Sequence, residues 1–180
     1  MNLTKQEQQY LLNLARTSIQ SNFSKAVTED ITTITSKLKK TFGVFVTLHT
    51  KNNQLRGCIG NIIGQYPLYI GVKKMAIQSA FHDPRFHPVT QKEVDDLRIE
   101  ISVLSELNSI NYNDITVGTH GLLIKHNFSY GVFLPQVPVE QGWDKTEYLE
   151  GLCRKADLFK DAYKDPKSQL LAFTTTIFSE

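Results

Sequence analysis

The sequence predicts an α+β fold, built mainly from an antiparallel sheet with flanking helices. Segments of alternating apolar residues come in pairs separated by short polar turns, which is typical of hairpins. Helical periodicity appears between the hairpins rather than after every strand, so a parallel doubly wound sheet is not expected. The chain has 180 residues, 41% of them hydrophobic and 21% charged, which allows a packed core and a solvated surface.

The N-terminal region predicts a helix over residues 4–22. Thr4 and Glu7 form a capping-box pattern, which marks the start of a helix. Apolar residues then recur at helical spacing, at Leu11, Leu14, Ala15, Ile19 and Phe23. The Thr-rich segment 28–41 is ambiguous, with a short helix as one interpretation.

The next segments predict a hairpin followed by a second helix. Residues 43–49 are β-branched and aromatic, as in a strand, and a polar turn leads into a second strand at 55–62. A helix is predicted over residues 67–81, because Pro67 suits a first helical turn and apolar residues share one face.

Two prolines exclude a helix from residues 83–88. Thr90 and Glu93 form a second capping-box pattern, which predicts a short helix. Strict alternation at 97–104 predicts a strand.

The C-terminal part predicts another hairpin, from strands at 122–126 and 131–135, then a helix after Trp143 and a last strand at 171–178. We expect one antiparallel sheet covered by the helices 4–22 and 67–81. Its predicted strands are 43–49, 55–62, 97–104, 122–126 and 131–135.

Charge and hydropathy argue against two classes of partner. The net charge is +2, and the basic clusters at 37–40 and 73–74 are too small for a nucleic-acid backbone. No apolar run approaches the ~18 residues of a membrane span. The start of the chain lacks a signal-peptide pattern, and two cysteines do not make a disulfide framework. We therefore expect a cytoplasmic protein with reduced thiols.

The predicted strand 43–49 is followed by a block of six residues, Leu55-Arg56-Gly57-Cys58-Ile59-Gly60. Together they resemble the signature of the AMMECR domain family. Further blocks match in order, at 83–89, 99–104, 118–122 and 131–137. The resemblance covers residues 5–178. It implies a single domain over residues 1–180, made of a larger and a smaller lobe that pack closely, with a cleft between them near Cys58.

The resemblance also implies partners. Bacterial and archaeal members are similar to component A of the AmmeMemoRadiSam system, which is encoded with a Memo-like protein and a radical-SAM enzyme. No assigned reaction carries over from the family. We expect an unknown small molecule as a partner, and the group acted on is a modified small molecule or an RNA or protein group. Two positions depart from the family pattern or are variable in it. The family usually has glycine where this chain has Asp157, and it tolerates many residues at His82, which argues against a catalytic role for His82.

Cys58 is the first candidate catalytic residue, as a nucleophile or a substrate-binding thiol. Arg56, two residues away, favours a thiolate on the same side of the strand. Gly57 and Gly60 remove side-chain bulk, so a ligand can approach the backbone N–H groups. The alternative is a small buried cysteine, with the glycines forming a bulge.

His120 and Glu100 are the other candidate catalytic residues. His120, flanked by Gly118 and Gly121, is the candidate base, and the alternative is a turn residue that caps a strand. Glu100 either orients His120 or binds a cationic ligand, unless it is an ordinary solvent-facing carboxylate. A catalytic site requires Cys58, His120 and Glu100 to lie within about 10 Å of one another.

Arg85 is a candidate ligand-binding residue, as are Arg56, Gly57 and Gly60. Arg85 would bind an anion or clamp a carboxylate inside the protein. The alternative is a structural salt bridge that fixes the loop. The histidines lack zinc spacing and no phosphate loop or dinucleotide motif occurs, so neither a metal nor a cofactor is expected. We expect positive φ, or an approach too close for a Cβ, at Gly57 or Gly121.

Two hypotheses remain. The protein is a cysteine-dependent enzyme or enzyme component, or it is a non-catalytic adaptor or ligand-binding module. The reactivity of Cys58 separates them.

Overall fold

A computed structural model describes residues 2–23 and 34–180. The chain forms two compact units: the first runs up to Leu104 and includes Thr176–Glu180, and the second is Ser105–Thr175. Part of the ambiguous segment 28–41 lies outside the described residues. In the rest, residues 36–39 form a turn and Thr41 makes an isolated bridge with Pro67.

The described residues form helices and strands in mixed order. The strands are β1 (Val44–His49), β2 (Leu55–Asn61), β3 (Arg98–Leu104), β4 (Asn108–Ser109), β5 (Gly121–His126), β6 (Ser129–Phe133), β7 (Gln169–Phe173) and β8 (Thr175–Ser179). The α-helices are α1 (Lys5–Gln20), α2 (Leu68–Phe81), α3 (Gln136–Glu140) and α4 (Lys145–Lys155). Short 3-10 helices are found at Val94–Asp96, Tyr112–Asp114 and Ala162–Lys164. The predicted α+β class is confirmed.

The first unit contains a four-stranded sheet in the order β2-β1-β3-β8. Alternation along β1 and β3 sends one set of side chains into a core shared with α1 and α2. Its fully or almost fully buried strand residues are Val44, Val46, Leu48, Ile99, Ile101 and Val103. The helices therefore cover one face of the sheet, and the other face carries the alternate residues of each strand.

The second unit contains a four-stranded antiparallel sheet in the order β4-β7-β5-β6. Helix α4 packs against it through Tyr148, Leu152 and Cys153, all of which are fully buried. The Asp144 side chain accepts the Glu147 N–H, and the Glu147 side chain accepts the Asp144 N–H, so a capping box begins this helix.

Several local predictions are confirmed. Helix α1 begins with the Thr4–Glu7 capping box, and both predicted hairpins form. The short helix after Thr90 is the 3-10 helix Val94–Asp96. Helix α2 starts one residue later than predicted, because Pro67 occupies the N-cap position.

The prediction of one sheet is wrong, since the predicted strands are divided between two sheets. The single predicted strand 171–178 is also wrong, because it is broken between β7 and β8 at Thr174. The Ser105 N–H donates to the Thr174 carbonyl at 2.9 Å, and the Thr174 N–H donates to Ser105 Oγ at 3.0 Å. Because its backbone groups bind Ser105, Thr174 belongs to neither β7 nor β8. Helix α3 was not predicted.

No helix in the described part of the chain is both long and apolar enough to cross a membrane. The predicted cleft between lobes stays a prediction.

Candidate functional site

Cys58 lies on β2, the edge strand of the first sheet. It is paired with Thr47 on β1, and the Thr47 hydroxyl donates a hydrogen bond to the Cys58 sulfur at 3.3 Å. The residue is a free thiol and is partly exposed. The sulfur thus has a polar partner in Thr47, and the Arg85 guanidinium also interacts with the Cys58 side chain.

The outer edge of β2 is bound by two side chains rather than by another strand. The Cys58 N–H donates to Asp83 Oδ2 at 2.8 Å, and Arg85 Nη2 donates to the Cys58 carbonyl at 3.1 Å. We call this ion pair the Asp83–Arg85 clamp. It satisfies both outward backbone groups of Cys58, which fixes the position of the residue at an otherwise open sheet edge.

The clamp contains a buried carboxylate, because the Asp83 side chain is only 1% exposed. Its oxygens also accept the Arg85 N–H at 3.1 Å, Nε at 3.0 Å and Nη2 at 2.7 Å. The hydrogen bonds from Arg85 lower the pKa of Asp83 well below its usual range, although burial acts in the opposite direction. Asp83 therefore stays ionised and is satisfied by its neighbours.

Arg56 belongs to a second ion pair. The register shifts between Leu48, which faces Gly57, and His49, which faces Leu55, so Arg56 is the extra residue of a β-bulge. Its Nε donates to Glu93 Oε1 at 2.9 Å and its Nη1 to the His87 carbonyl at 3.0 Å. The Arg56 hydrogen bond, with help from Thr90, lowers the pKa of Glu93 to about 2.

A groove lies beside the two ion pairs and has a volume of about 690 Å³. We call it the 84–93 groove. It is lined by Arg56, Pro84, Arg85, Phe86, His87, Pro88, Thr90 and Glu93. The Arg85 side chain is 54% exposed, and its guanidinium carbon lies 5.5 Å from the centre of the Phe86 ring. The groove is therefore partly apolar and partly cationic.

The glycine prediction is confirmed through close approach and not through φ. A Cβ on Gly57 would collide with the Ser79 carbonyl of α2, and one on Gly121 would collide with the Phe173 ring. Next to Gly57, Ser79 Oγ accepts the Ile59 N–H at 2.8 Å and donates to the Val46 carbonyl at 2.7 Å. Gly57 thus lets β2 lie directly against α2.

Gly60 makes room for the protein in a similar way, because a Cβ there would collide with the Phe45 ring. Ligand binding through Gly57 or Gly60 stays a prediction.

Glu100 shares a cross-strand row with Cys58. Thr47 faces Cys58 on β2 and Glu100 on β3, so the three side chains lie on the sheet face opposite the helices. Two strand spacings separate Cys58 from Glu100, which is about 10 Å. His49 lies two residues from Thr47 on the same face, and its Nδ1 is buried without a hydrogen-bond partner in the described part of the chain.

His120 belongs to the second unit. Its Nδ1 accepts the Thr116 N–H at 3.1 Å, and its carbonyl accepts the Tyr148 hydroxyl at 3.1 Å. These bonds fit the interpretation of His120 as a structural turn residue. The convergence of His120 with Cys58 and Glu100 stays a prediction.

Sequence reasoning missed three residues of this site: Thr47, Asp83 and Glu93. The hairpin register could have identified Thr47, because counting back from the polar turn places it near Cys58. Glu93 was assigned only to a capping box, although it also binds Arg56. Among the described residues, no group of three or more His, Cys, Asp or Glu residues comes together as a metal site.

Comparison with known proteins gives a consistent result. A family model described as AMMECR1 matches residues 12–178. Protein NEQ441 of Nanoarchaeum equitans is 40% identical over 154 aligned positions, and the alignment covers 82% of this chain and 86% of that protein. Protein TK0174 of Thermococcus kodakarensis is 40% identical over 183 aligned residues, covering 96% and 89%.

A solved structure is also similar. The crystal structure of the uncharacterized protein PH0010 from Pyrococcus horikoshii superimposes with a TM-score of 0.80 at 38% identity. The match covers 95% of this chain and 90% of that one.

Proposed function

The chain belongs to the AMMECR1 family, and we propose that it is a cysteine-dependent enzyme or enzyme component whose working thiol is Cys58. One observation carries the proposal: Cys58 is a partly exposed residue with a free thiol, and both of its outward backbone groups are held by a charged clamp. A reactive group has to be positioned by its surroundings and still be reachable by a substrate. Cys58 meets both conditions.

The neighbouring residues define what the site offers. Thr47 donates a hydrogen bond to the sulfur and so orients it. Glu100 supplies a carboxylate in the same cross-strand row, about 10 Å away, which is a distance that a small substrate can bridge. We propose that Glu100 binds the substrate rather than touching the thiol.

The family resemblance supports a set of partners for this proposal. The enzyme or component would act on a small molecule together with a Memo-like protein and a radical-SAM protein. We place it in the cytoplasm, a reducing compartment where free thiols persist. Cys58 and Cys153 are both free, which supports that assignment.

Alkylation of the native protein tests the proposal. Iodoacetamide is added at one fixed pH, and the modified peptides are followed by mass spectrometry. Cys153 is the internal control, because it is fully buried and reacts only when its surroundings open. We expect Cys58 to react at least ~100-fold faster than Cys153, and Thr47→Val to change the rate at Cys58 without affecting Cys153. Equal rates at the two cysteines would contradict the proposal.

A second function is favoured by a different observation. Both arginines near Cys58 are paired with carboxylates of the protein, as expected of a structural clamp in a non-catalytic adaptor or ligand-binding module. An inert Cys58 would support this alternative.

A further inference from the structure

We infer that the 84–93 groove binds the carboxylate or phosphate group of a small organic anion, next to Cys58. The role of this anion as a substrate rests on the proposed function. Anion binding itself depends only on the groove. The inference therefore names a class of ligand for the site: a small molecule with an anionic end and an apolar part.

The first argument comes from the hydrogen-bond donors of Arg85. A guanidinium has five N–H groups. Nε is used by Asp83, and Nη2 is shared between Asp83 and the Cys58 carbonyl. The hydrogen bonds to oxygen atoms of the described residues leave Nη1 unused, the guanidinium also interacts with the Cys58 side chain, and more than half of the Arg85 side chain is exposed. Arg85 thus has one edge fixed by the clamp, and Nη1 remains for a ligand.

The second argument comes from the hydrogen-bond acceptors. Glu93 Oε1 accepts from Arg56, and Glu93 Oε2 accepts from both the N–H and the hydroxyl of Thr90. Asp83 is buried and receives its hydrogen bonds from Arg85 and Cys58. Because both carboxylates are already bound by protein donors, the groove favours a ligand that supplies acceptors. Carboxylates and phosphates do so, and they match a guanidinium in geometry and charge.

The third argument comes from the shape and charge of the lining. The groove wall contains two positively charged residues, Arg56 and Arg85, and one carboxylate, that of Glu93. Asp83 pairs with Arg85 and offsets part of its charge, so we expect an isolated anion to bind with a Kd in the millimolar range. Pro84, Phe86 and Pro88 add an apolar surface that suits the rest of an organic molecule.

The position of Arg85 connects this groove with the thiol. The same Nη2 that binds Asp83 lies 3.1 Å from the Cys58 carbonyl. An anion bound to the neighbouring Nη1 would therefore be anchored close to Cys58. Anchoring a molecule through a group that does not react is a general way to orient its reacting end.

The test uses the full chain with the substitution Cys58→Ser, so that no thiol chemistry contributes. Inorganic phosphate and acetate are titrated separately at constant ionic strength, and the backbone amide shifts of the non-proline residues Arg85, Phe86, His87, Val89 and Thr90 are followed by NMR. We expect saturable shifts, and the tighter of the two anions identifies the phosphate or the carboxylate as the preferred group. Sodium chloride is the control for non-specific charge effects.

Two variants of the Cys58→Ser protein locate the site. Arg85→Lys keeps the positive charge but removes the planar pair of N–H donors that a guanidinium offers, and we expect at least a tenfold loss of affinity. His87→Gln changes a side chain that lines the groove and takes no part in the clamp, so it should weaken binding several-fold and keeps the test valid if Arg85→Lys does not fold. Chloride giving the same shifts, or both variants binding as before, would overturn the inference.

The outcomes separate this inference from the proposed function. An unreactive Cys58 with saturable anion binding leaves the anion site standing and removes the cysteine-dependent enzyme. A reactive Cys58 without anion binding removes the anion site alone.

Discussion

The two cysteines of this protein lie in opposite kinds of environment. Cys58 is partly exposed on an edge strand, with polar partners at its N–H, its carbonyl and its sulfur. Cys153 is fully buried on α4 in an apolar core, and burial raises the pKa of its thiol. One cysteine is held by charge and hydrogen bonds, the other by packing.

The difference shows what each position needs. Packing suffices for Cys153, because a thiol behaves as a small apolar group in a core. Cys58 depends on a buried carboxylate, which is costly to desolvate unless it is paired. Positioning by a charged pair while leaving the sulfur accessible is expected where the thiol is used. Four predictions test this contrast, from the largest expected effect to the smallest.

The largest effect is expected from Arg85→Met. The substitution leaves the Asp83 carboxylate buried without its cation, and we expect the free energy of unfolding to fall by about 3 kcal/mol. The value is at the low end for a buried pair, because Arg85 is half exposed and water replaces part of its contacts. Urea denaturation measures it. Arg154→Met, at an exposed arginine of α4, is the control and should change stability by less than about 0.5 kcal/mol.

Adding Asp83→Asn to Arg85→Met should recover part of the loss, because the buried charge is then removed. If Arg85→Met alone costs no more than the control, the clamp does not hold this edge.

Acid should weaken the same region. The folded-state pKa values of Asp83 and Glu93 lie below their ordinary values of 3.8 and 4.5, and that of Glu93 is about 2. The unfolded chain therefore binds more protons as the pH falls, and acid favours unfolding. This stabilisation is complete above about pH 5 and declines towards pH 2. Urea midpoints measured between these limits should fall less steeply in Asp83→Asn; an identical decline would contradict the assignment.

Serine at each cysteine compares the two environments directly. Cys153→Ser places a hydroxyl in an apolar core and should cost about 1–3 kcal/mol. Cys58→Ser should cost less than about 1 kcal/mol, because Thr47 and solvent satisfy the new hydroxyl. Thermal or urea denaturation of both variants gives the two values. Equal costs would mean that Cys58 is packed as tightly as Cys153.

The smallest effect is an increase in stability, in the helix that carries Cys153. Asp157 follows the end of α4 with φ 55°, and the Leu158 N–H donates to the Cys153 carbonyl at 3.0 Å. This left-handed position suits glycine, so Asp157→Gly should stabilise the protein by about 0.5–1 kcal/mol. Asp161→Gly is the matched control, because φ there is −104° and glycine should give no gain. A melting temperature that does not rise in Asp157→Gly would contradict this account.

Local signals in the sequence predicted local structure. The capping boxes that begin α1 and α4 depend on residues three positions apart, so a short window contains all the information. The same holds for the hairpins, whose turns are short. The distribution of strands between two sheets was not predictable in this way. Alternation shows that a strand has an apolar face, but it does not specify which strand lies beside it.

The break between β7 and β8 had no local signal either, since neither glycine nor proline stands near Thr174, and its partner Ser105 is far away in the sequence. The candidate site shows the same difference between local signals and contacts of distant residues. Cys58, Arg56 and Arg85 were identified from their residue types, but the pairing of Arg56 with Glu93 and the hydrogen bond from Cys58 to Asp83 depend on tertiary contacts. These contacts decide how the arginines are used.

The return of β8 to the first sheet has a consequence for the growing polypeptide. Strand β3 pairs with β8. Glu180, the residue after β8, binds Arg16 of α1 and accepts the Ile99 N–H. During translation, residues 105–174 emerge from the ribosome before this strand does. At about 5–20 residues per second, β3 waits several seconds without this neighbour. The nascent first unit is thus exposed to edge-to-edge aggregation over that interval, and chaperones act on such intermediates.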